Sequence, residues 1–132
     1  MKRILAGLLV ALLLPVATRA EEKRPAAEKP AFSTFKEAVA FISECLDKKE
    51  DHRLSEACAT PFERQADTKA LLESLRGTHL RTPLPKLYEG KDFPSEGRAF
   101  TLGGCHKELG NVHIDFERVD KGWRLSRIWI CW

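Results

Sequence analysis

The last third of the chain constrains the fold most, because apolar and polar residues alternate there with the two-residue period of a β-strand. Residues 98–104, 111–119 and 123–131 are the predicted strands. Short segments that contain glycine separate them, Gly110 in the first and Gly122 in the second. Two consecutive hairpins, and therefore an antiparallel sheet, are expected in this part of the chain.

The bend of the second hairpin decides which side chains of the sheet face the core. A three-residue loop ending at Gly122 would pair Val119 with Trp123. A two-residue loop at residues 121–122 would instead turn Arg127 onto the apolar face, where an unpaired charge costs several kcal/mol. We therefore predict the three-residue loop. Its core face carries Val112, Ile114, Phe116, Ile128 and Ile130.

The opposite face of this hairpin carries a mixture of aromatic and charged side chains. Aromatic residues and arginine are enriched at the centres of protein interfaces. We predict that this face is a binding surface, on which the cross-strand neighbours Asp115 and Arg127 form a solvated ion pair. The alternative is that a loop or the N-terminal segment covers it. The predicted binding-surface residues are His113, Asp115, Trp123, Arg127 and Trp129.

Two helical segments precede the predicted sheet. Thr34 caps the first, which keeps one apolar stripe to about Lys49. Thr60 caps the second, which ends at Gly77. Residues 67–68 either divide this second helix or lie within it. Helices followed by an antiparallel sheet define an α+β fold.

The beginning of the chain has the three parts of a secretion signal. A basic pair precedes an apolar run of eleven residues at positions 4–14, and small residues stand at Thr18 and Ala20, the two positions that flank a cleavage site. The run is shorter than the roughly 20 residues that a membrane span needs. We predict a cleaved signal peptide over residues 1–20, a flexible leader over residues 21–31 and one α+β domain over residues 32–132. The protein is expected in the periplasm or outside the cell, without a stable membrane anchor.

Removal of the signal peptide changes the charge balance. Three of the 22 Lys and Arg residues leave with it, so that 19 basic side chains remain against 19 acidic ones. Such a domain lacks the concentrated positive charge that binds phosphate backbones, and nucleic acid is not expected as a partner. The expected partner is a protein or a small ligand, and a homodimer through the sheet face is one candidate.

Four cysteines in an exported chain of this size indicate disulfide bonds, and we predict neither a metal nor a cofactor. Cys45 lies on the first helix and Cys58 is expected only a short loop beyond it, while Cys105 and Cys131 share the outer face of the sheet. We predict the bonds 45–58 and 105–131. The second requires Cys105 to fold across the end of the middle strand, because a regular ladder would separate the pair by roughly 9–10 Å. If Cys105 and Cys131 were reduced, their thiols would converge with His113 and could form a thiol or metal site.

The stretch Gly122-Trp123-Arg124 and the residues that follow it resemble the last hairpin of the NTF2-like superfamily. The resemblance implies N-terminal helices packed on a curved antiparallel sheet, the cystatin-like cone, which can enclose a pocket. Enzymes of this superfamily that act on steroids or polyketides place carboxylates with a histidine or tyrosine inside the cone. The predicted register directs two of the candidates away from the core, so we predict no catalytic residue. The candidates are His113, Asp115, Tyr88 and Asp92.

The function expected from these features is that of an exported, non-catalytic domain that binds a ligand or a protein. A small cofactor-free enzyme of the isomerase or dehydratase type would need at least two titratable groups in a closed pocket. A secreted hydrolase inhibitor would present a loop such as residues 83–94. Residues 84–88 within that loop are predicted as a short edge strand, because the flanking prolines exclude a central position.

Overall fold

A computed structural model describes residues 29–62 and 65–132. The predicted signal peptide and most of the predicted leader lie outside these ranges. None of the described helices is long and apolar enough to cross a membrane. Helices precede the sheet, as the sequence predicts, and the fold is α+β. The elements are α1 (Phe35–Asp47), α2 (Asp51–Ala57), α3 (Gln65–Arg81), α4 (Leu84–Leu87), β1 (Ala99–Gly103), β2 (Val112–Val119) and β3 (Gly122–Ile130).

Helix α1 begins at the predicted cap. Thr34 Oγ1 accepts a hydrogen bond from the Glu37 N–H at 3.1 Å, and Glu37 Oε1 accepts one from the Ser33 N–H at 3.0 Å. The helix ends at Asp47, just before Lys49 takes a positive φ of 55°. Its buried stripe consists of Phe35, Ala38, Val39, Ile42, Ser43, Cys45 and Leu46.

Helix α3 is one continuous element that begins and ends later in the chain than predicted. It begins at Gln65 and runs through Gly77 to Arg81, so the predicted stop at Gly77 is wrong. A glycine inside a helix costs about 1 kcal/mol relative to alanine. Burial of Leu75 and Thr78 on either side of it favours continuation of the helix.

Three local predictions differ from the structure in the region of the shorter helices. Residues 51–57 form α2, where only a loop was expected. Residues 84–87 form α4 instead of an edge strand. Pro85 fits the first turn of a helix, because backbone N–H groups there have no acceptor within the helix and the missing N–H of proline costs no hydrogen bond. Thr60 does not cap a helix. Its N–H donates to the Ser126 carbonyl at 2.8 Å and joins this segment to the edge of β3.

The three strands form one antiparallel sheet in the order β1-β2-β3. In the first hairpin Phe100 lies opposite Phe116 and Leu102 opposite Ile114.

The second hairpin turns differently from the prediction. Val119 pairs with Gly122, so the loop has only the two residues 120 and 121. The register shifts between Asp115 and Phe116, because Ser126 is an extra residue in a β-bulge. On the C-terminal side of the bulge, β3 pairs with β2 as predicted. Asp115 faces Arg127 and His113 faces Trp129.

The bulge moves Trp123 to the inner face of the sheet. Its side chain is only 3% exposed and stacks on Phe93, with the ring centroids 4.9 Å apart. The prediction that Trp123 belongs to the outer surface is therefore wrong. Phe35 of α1 packs edge-on against Phe93 and Phe100 in this inner aromatic cluster. The core thus lies between the helices and the inner face of the sheet.

Candidate functional site

Four side chains form a connected row on the outer face of the sheet, and we call them the outer-face cluster. His113 and Asp115 come from β2, and Trp129 and Arg127 are their cross-strand partners on β3. Strand residues alternate between the two faces, so the burial of Ile114 and Ile128 under the helices directs these neighbours outward. Four of the five predicted binding-surface residues are therefore brought together.

Trp129 occupies the centre of the outer-face cluster. The His113 ring stacks on its indole with centroids 3.8 Å apart and an interplanar angle of 13°. The Arg127 Cζ lies 4.7 Å from the ring centroid. The indole Nε1–H donates to Asp115 Oδ2 at 2.9 Å. These contacts fix the orientation of a half-buried aromatic side chain that would otherwise be free to rotate.

Asp115 is held by neutral hydrogen-bond donors. Thr101 Oγ1 donates to its Oδ1 at 2.8 Å, in addition to the indole bond to Oδ2. Among the described residues Arg127 makes no ion pair with this carboxylate, and its guanidinium lies over Trp129 instead. The predicted ion pair between Asp115 and Arg127 is therefore wrong, because the indole competes for both groups.

The disulfide between Cys105 and Cys131 closes one end of the outer-face cluster. Their Cα atoms lie 6.1 Å apart, within the usual range for a disulfide. The chain folds across the end of β2 at Gly103 and Gly104, whose φ angles are 80° and 135°. A Cβ on Gly103 would lie 2.2 Å from the Val112 carbonyl oxygen, so this approach requires glycine. The predicted bond and the predicted bend are both confirmed.

The second predicted disulfide is absent. Cys45 and Cys58 are free thiols buried in the core. The Cys58 Sγ–H donates to the Leu54 carbonyl at 3.5 Å, because α2 replaces the expected loop and directs this thiol back along its own last turn. Burial raises the pKa of both thiols, that of Cys58 to about 12. Neither is a reactive cysteine, since reaction requires the thiolate.

His113 also faces the sulfur atoms of the disulfide. Its Nε2 lies 3.8 Å from Cys105 Sγ. The ligand atoms of Cys105, His113 and Cys131 all lie within 4.8 Å of one another. The convergence of these three residues, which the sequence predicts, is therefore present in the structure.

The other two candidate catalytic residues lie elsewhere. Tyr88 borders a cleft of about 560 Å³ between α1 and the segment after α4, with Asp92 exposed at its rim. The Tyr88 hydroxyl donates to Glu108 Oε2 at 2.9 Å, and burial raises the pKa of this phenol, with a further contribution from Glu108. The four candidates thus fall into two separate places. Glu108 was not predicted, because nothing local marks a hydrogen bond between residues 20 positions apart.

A groove of about 270 Å³ runs beside the outer-face cluster, between β3 and the beginning of α3. Arg127 and Trp129 line one side, and Phe62 and Leu71 lie among the residues of the other. The Ala59 N–H donates to the Leu125 carbonyl, and the Thr60 N–H donates to the Ser126 carbonyl. These two hydrogen bonds cover this part of the β3 edge. Within the described ranges, backbone pairing on this edge stops at Ser126. The groove begins where that pairing ends.

Comparison with protein-family models, with curated proteins and with solved structures finds no match to this chain. We therefore infer function from the geometry of the outer-face cluster and of the groove beside it.

Proposed function

We propose that this protein is an exported, non-catalytic binding domain that engages a partner protein through the outer-face cluster. The observation that carries the proposal is the arrangement of Trp129, which is half-buried and held by His113, Arg127 and Asp115 on the face opposite the helices. Tryptophan and arginine dominate binding hot spots. An anchor whose orientation is fixed in advance loses little conformational entropy when a partner binds.

An extended segment of the partner fits the groove beside Trp129. Its backbone would continue the pairing along β3 beyond Ser126, the mode by which sheet edges recognise peptides. A side chain of this segment would enter the 270 Å³ groove against Phe62 and Leu71. A carboxylate on the partner would complement Arg127, whose guanidinium is exposed and has no carboxylate partner among the described ion pairs.

The distribution of titratable groups favours binding over catalysis. Proton transfer needs an acid or base within reach of the reacting atom and a second group that converges on it. Both oxygens of Asp115 already accept hydrogen bonds. Tyr88 and Glu108 lie at a different site, and the raised pKa of Tyr88 holds its phenol protonated.

The experiment that tests the proposal compares two tryptophans. The tagged wild-type protein is used to capture partners from the exported fraction of the producing cells, beside Trp129→Ala and Trp132→Ala. Trp132 is 82% exposed and lies outside the outer-face cluster, which makes it a matched control. We expect the wild type and Trp132→Ala to retain the same partner and Trp129→Ala to lose at least nine-tenths of it.

Circular dichroism establishes that the variants are folded before capture is compared. Equal capture of the partner by Trp129→Ala and the wild type would contradict the proposal. So would a loss of captured partner in Trp132→Ala as large as the loss in Trp129→Ala. Sedimentation of the same proteins tests the homodimer, since a partner that is a second copy of the chain would make Trp129→Ala sediment more slowly than the wild type.

Export is part of the proposal. The pattern of residues 1–20 and the disulfide between Cys105 and Cys131 support it, because disulfides persist in oxidising compartments. Sequencing the N-terminus of the protein recovered from the periplasm or the medium tests it. A product that begins at Glu21 is expected, and retention of residues 1–20 in the cytosol would contradict export.

We also propose that the fold is a small NTF2-like cone. The Gly-Trp-Arg stretch at Gly122, the packing of the helices against one face of the sheet and the bulge at Ser126 support this, since bulges bend a strand. An experimentally determined structure tests it through the curvature of the sheet. The sheet is expected to curve around α1, and a flat sheet would contradict the relationship.

A small cofactor-free enzyme is the second candidate, and the cleft at Tyr88 is the observation that favours it. A phenol that donates its proton to Glu108 at the wall of a 560 Å³ cleft can still accept a hydrogen bond from a ligand hydroxyl or amide. Screening ligands that carry hydroxyl or amide groups for binding to the wild type and to Tyr88→Phe tests this candidate. A ligand bound equally well by both would exclude a role for the hydroxyl.

A further inference from the structure

We propose that Cys105, Cys131 and His113 form a binding site for a thiophilic d¹⁰ cation, Zn²⁺ or Cu⁺, and that the disulfide closes this site. The proposal concerns the end of the outer-face cluster and does not depend on the partner protein. Cys105 is exposed, and the other two residues are half-buried, so the site is accessible from solvent.

The distance between His113 and Cys105 already fits a shared cation. With metal–sulfur bonds of about 2.3 Å and metal–nitrogen bonds of about 2.0–2.1 Å, two ligands of one tetrahedral ion lie roughly 3.5–3.8 Å apart. His113 Nε2 and Cys105 Sγ are 3.8 Å apart, and all three ligand atoms lie within 4.8 Å of one another. When their bond is reduced, the two sulfur atoms have to separate, and Cys131 Sγ has to reach the same short distance from the imidazole.

Neighbouring groups hold the ligands in position. Trp129 stacks on the His113 ring and so fixes the direction of its Nε2 towards the sulfurs. The Cys131 N–H donates to the Asn111 carbonyl at 2.9 Å, which ties this cysteine to β2. Cys105 follows Gly103 and Gly104, whose positive φ angles bring its backbone across the strand end. Such supporting contacts are what orient ligands in protein metal sites.

The donor set selects the class of ion. Two thiolates and one imidazole are soft to intermediate ligands that suit Cu⁺ and Zn²⁺, whereas Mg²⁺ and Ca²⁺ prefer oxygen. Three protein ligands give a trigonal site for Cu⁺, or leave a fourth position for water on Zn²⁺.

The redox step requires a dithiol reductant. Its two thiols become a disulfide, the bond between Cys105 and Cys131 breaks, and the two hydrogens of the reductant pass to the two cysteine sulfurs. Binding of Zn²⁺ then releases two protons to solvent, while His113 binds as the neutral imidazole. The oxidised protein has no thiolate at this site, so its affinity for the cation is lost.

The experiment uses the purified exported protein and its Cys45→Ala/Cys58→Ala double variant, in which Cys105 and Cys131 are the only thiols once reduced. Each is divided into an oxidised and a reduced sample, and the reductant is removed without air. Co²⁺ is titrated as a coloured substitute for Zn²⁺ and then displaced with Zn²⁺. A separate arm titrates Cu⁺ against a coloured chelator.

We expect one equivalent of ion per reduced chain, with thiolate-to-cobalt charge-transfer absorption in the Co²⁺ arm, and at least a hundredfold weaker binding to the oxidised chain. His113→Asn is expected to weaken binding by the reduced protein at least tenfold. His106→Asn is the matched control and is expected to bind normally, because His106 is not among the converging ligands.

Three results would overturn the site. One is equal binding by the oxidised and reduced proteins, and another is the binding of neither Zn²⁺ nor Cu⁺. The third is an equal effect of His113→Asn and His106→Asn. A reduced chain that had lost its structure would bind without distinguishing the two histidines, so this result also counts against a preformed site.

Discussion

The inner and outer faces of the sheet hold their aromatic side chains in different ways. On the inner face Trp123 is 3% exposed and stacks on Phe93 among other rings. On the outer face Trp129 is half-buried and contacts an imidazole, a guanidinium and a carboxylate. Burial of apolar surface is the larger contribution to stability, whereas polar contacts mainly orient a side chain. The inner face therefore stabilises the fold, whereas the outer face is the one for which we propose a role in partner binding.

The cysteines follow the same division. Cys45 and Cys58 lie in the core as protonated thiols, and burial raises the pKa of each. Cys105 and Cys131 lie beside the outer-face cluster and are bonded to each other. Four predictions test this contrast between the two faces, beginning with the largest expected effect.

Trp123→Ala should lower the free energy of unfolding by about 3–5 kcal/mol, the usual loss when a large aromatic residue is removed from a core. The side chain fills the space beside Phe93, so its removal leaves a cavity. Urea unfolding followed by circular dichroism measures the loss. An effect no larger than that of Trp129→Ala would remove the distinction between the two faces.

Replacement of both Cys105 and Cys131 by serine should lower the free energy of unfolding by roughly 3 kcal/mol, since the bond closes a loop between residues 26 positions apart. Urea unfolding with and without reductant measures it. The wild type should lose this stability when reductant is added, and the double variant should not respond. A response of equal size in both proteins would assign the effect of the reductant to another part of the molecule.

Cys58→Ala should flatten the loss of stability at alkaline pH. Burial raises the pKa of Cys58 from 9.0 to about 12, so the unfolded chain loses this proton between these values while the folded chain keeps it. The free energy of unfolding then falls with rising pH, by at most about 1.4 kcal/mol per pH unit. The contribution is fully present below about pH 9 and disappears as the pH rises.

Urea unfolding at a series of pH values from 8 to 11 compares the slopes of the wild type and Cys58→Ala. Ser43→Ala is the control, because it also removes a buried polar group but no titrating proton. It should keep the slope of the wild type. A Cys58→Ala slope equal to that of the wild type would contradict the inner placement of this thiol.

Trp129→Ala should have the smallest effect on stability, about 1–2 kcal/mol, because it removes one hydrogen bond, one ring stack and one cation–π contact from a half-buried position. The same urea measurement applies. A loss of 3 kcal/mol or more would show that Trp129 belongs to the structural core, and the reduced capture of partner would then have no separate meaning.

Local sequence patterns determined much of the architecture. The alternation that predicts strands over 98–104, 111–119 and 123–131 agrees with the structure to within one residue at every end. Thr34 caps α1 as predicted, because a cap depends on residues three positions apart. The disulfide between Cys105 and Cys131 followed from the shared face of these residues and the bend before them.

Tertiary structure alone decided the position of Trp123 and the state of the other cysteines. The bulge at Ser126 compensates for a two-residue turn. Arg127 and Trp129 therefore keep their predicted face of the sheet, whereas Trp123 moves to the inner face. The formation of α2 determines where the Cys58 thiol points, and the bond with Cys45 is absent. The physical reason is common to both. Strand period and helix caps depend on neighbours along the chain, whereas a register shift or a thiol's direction depends on which arrangement buries the most apolar surface in the whole domain.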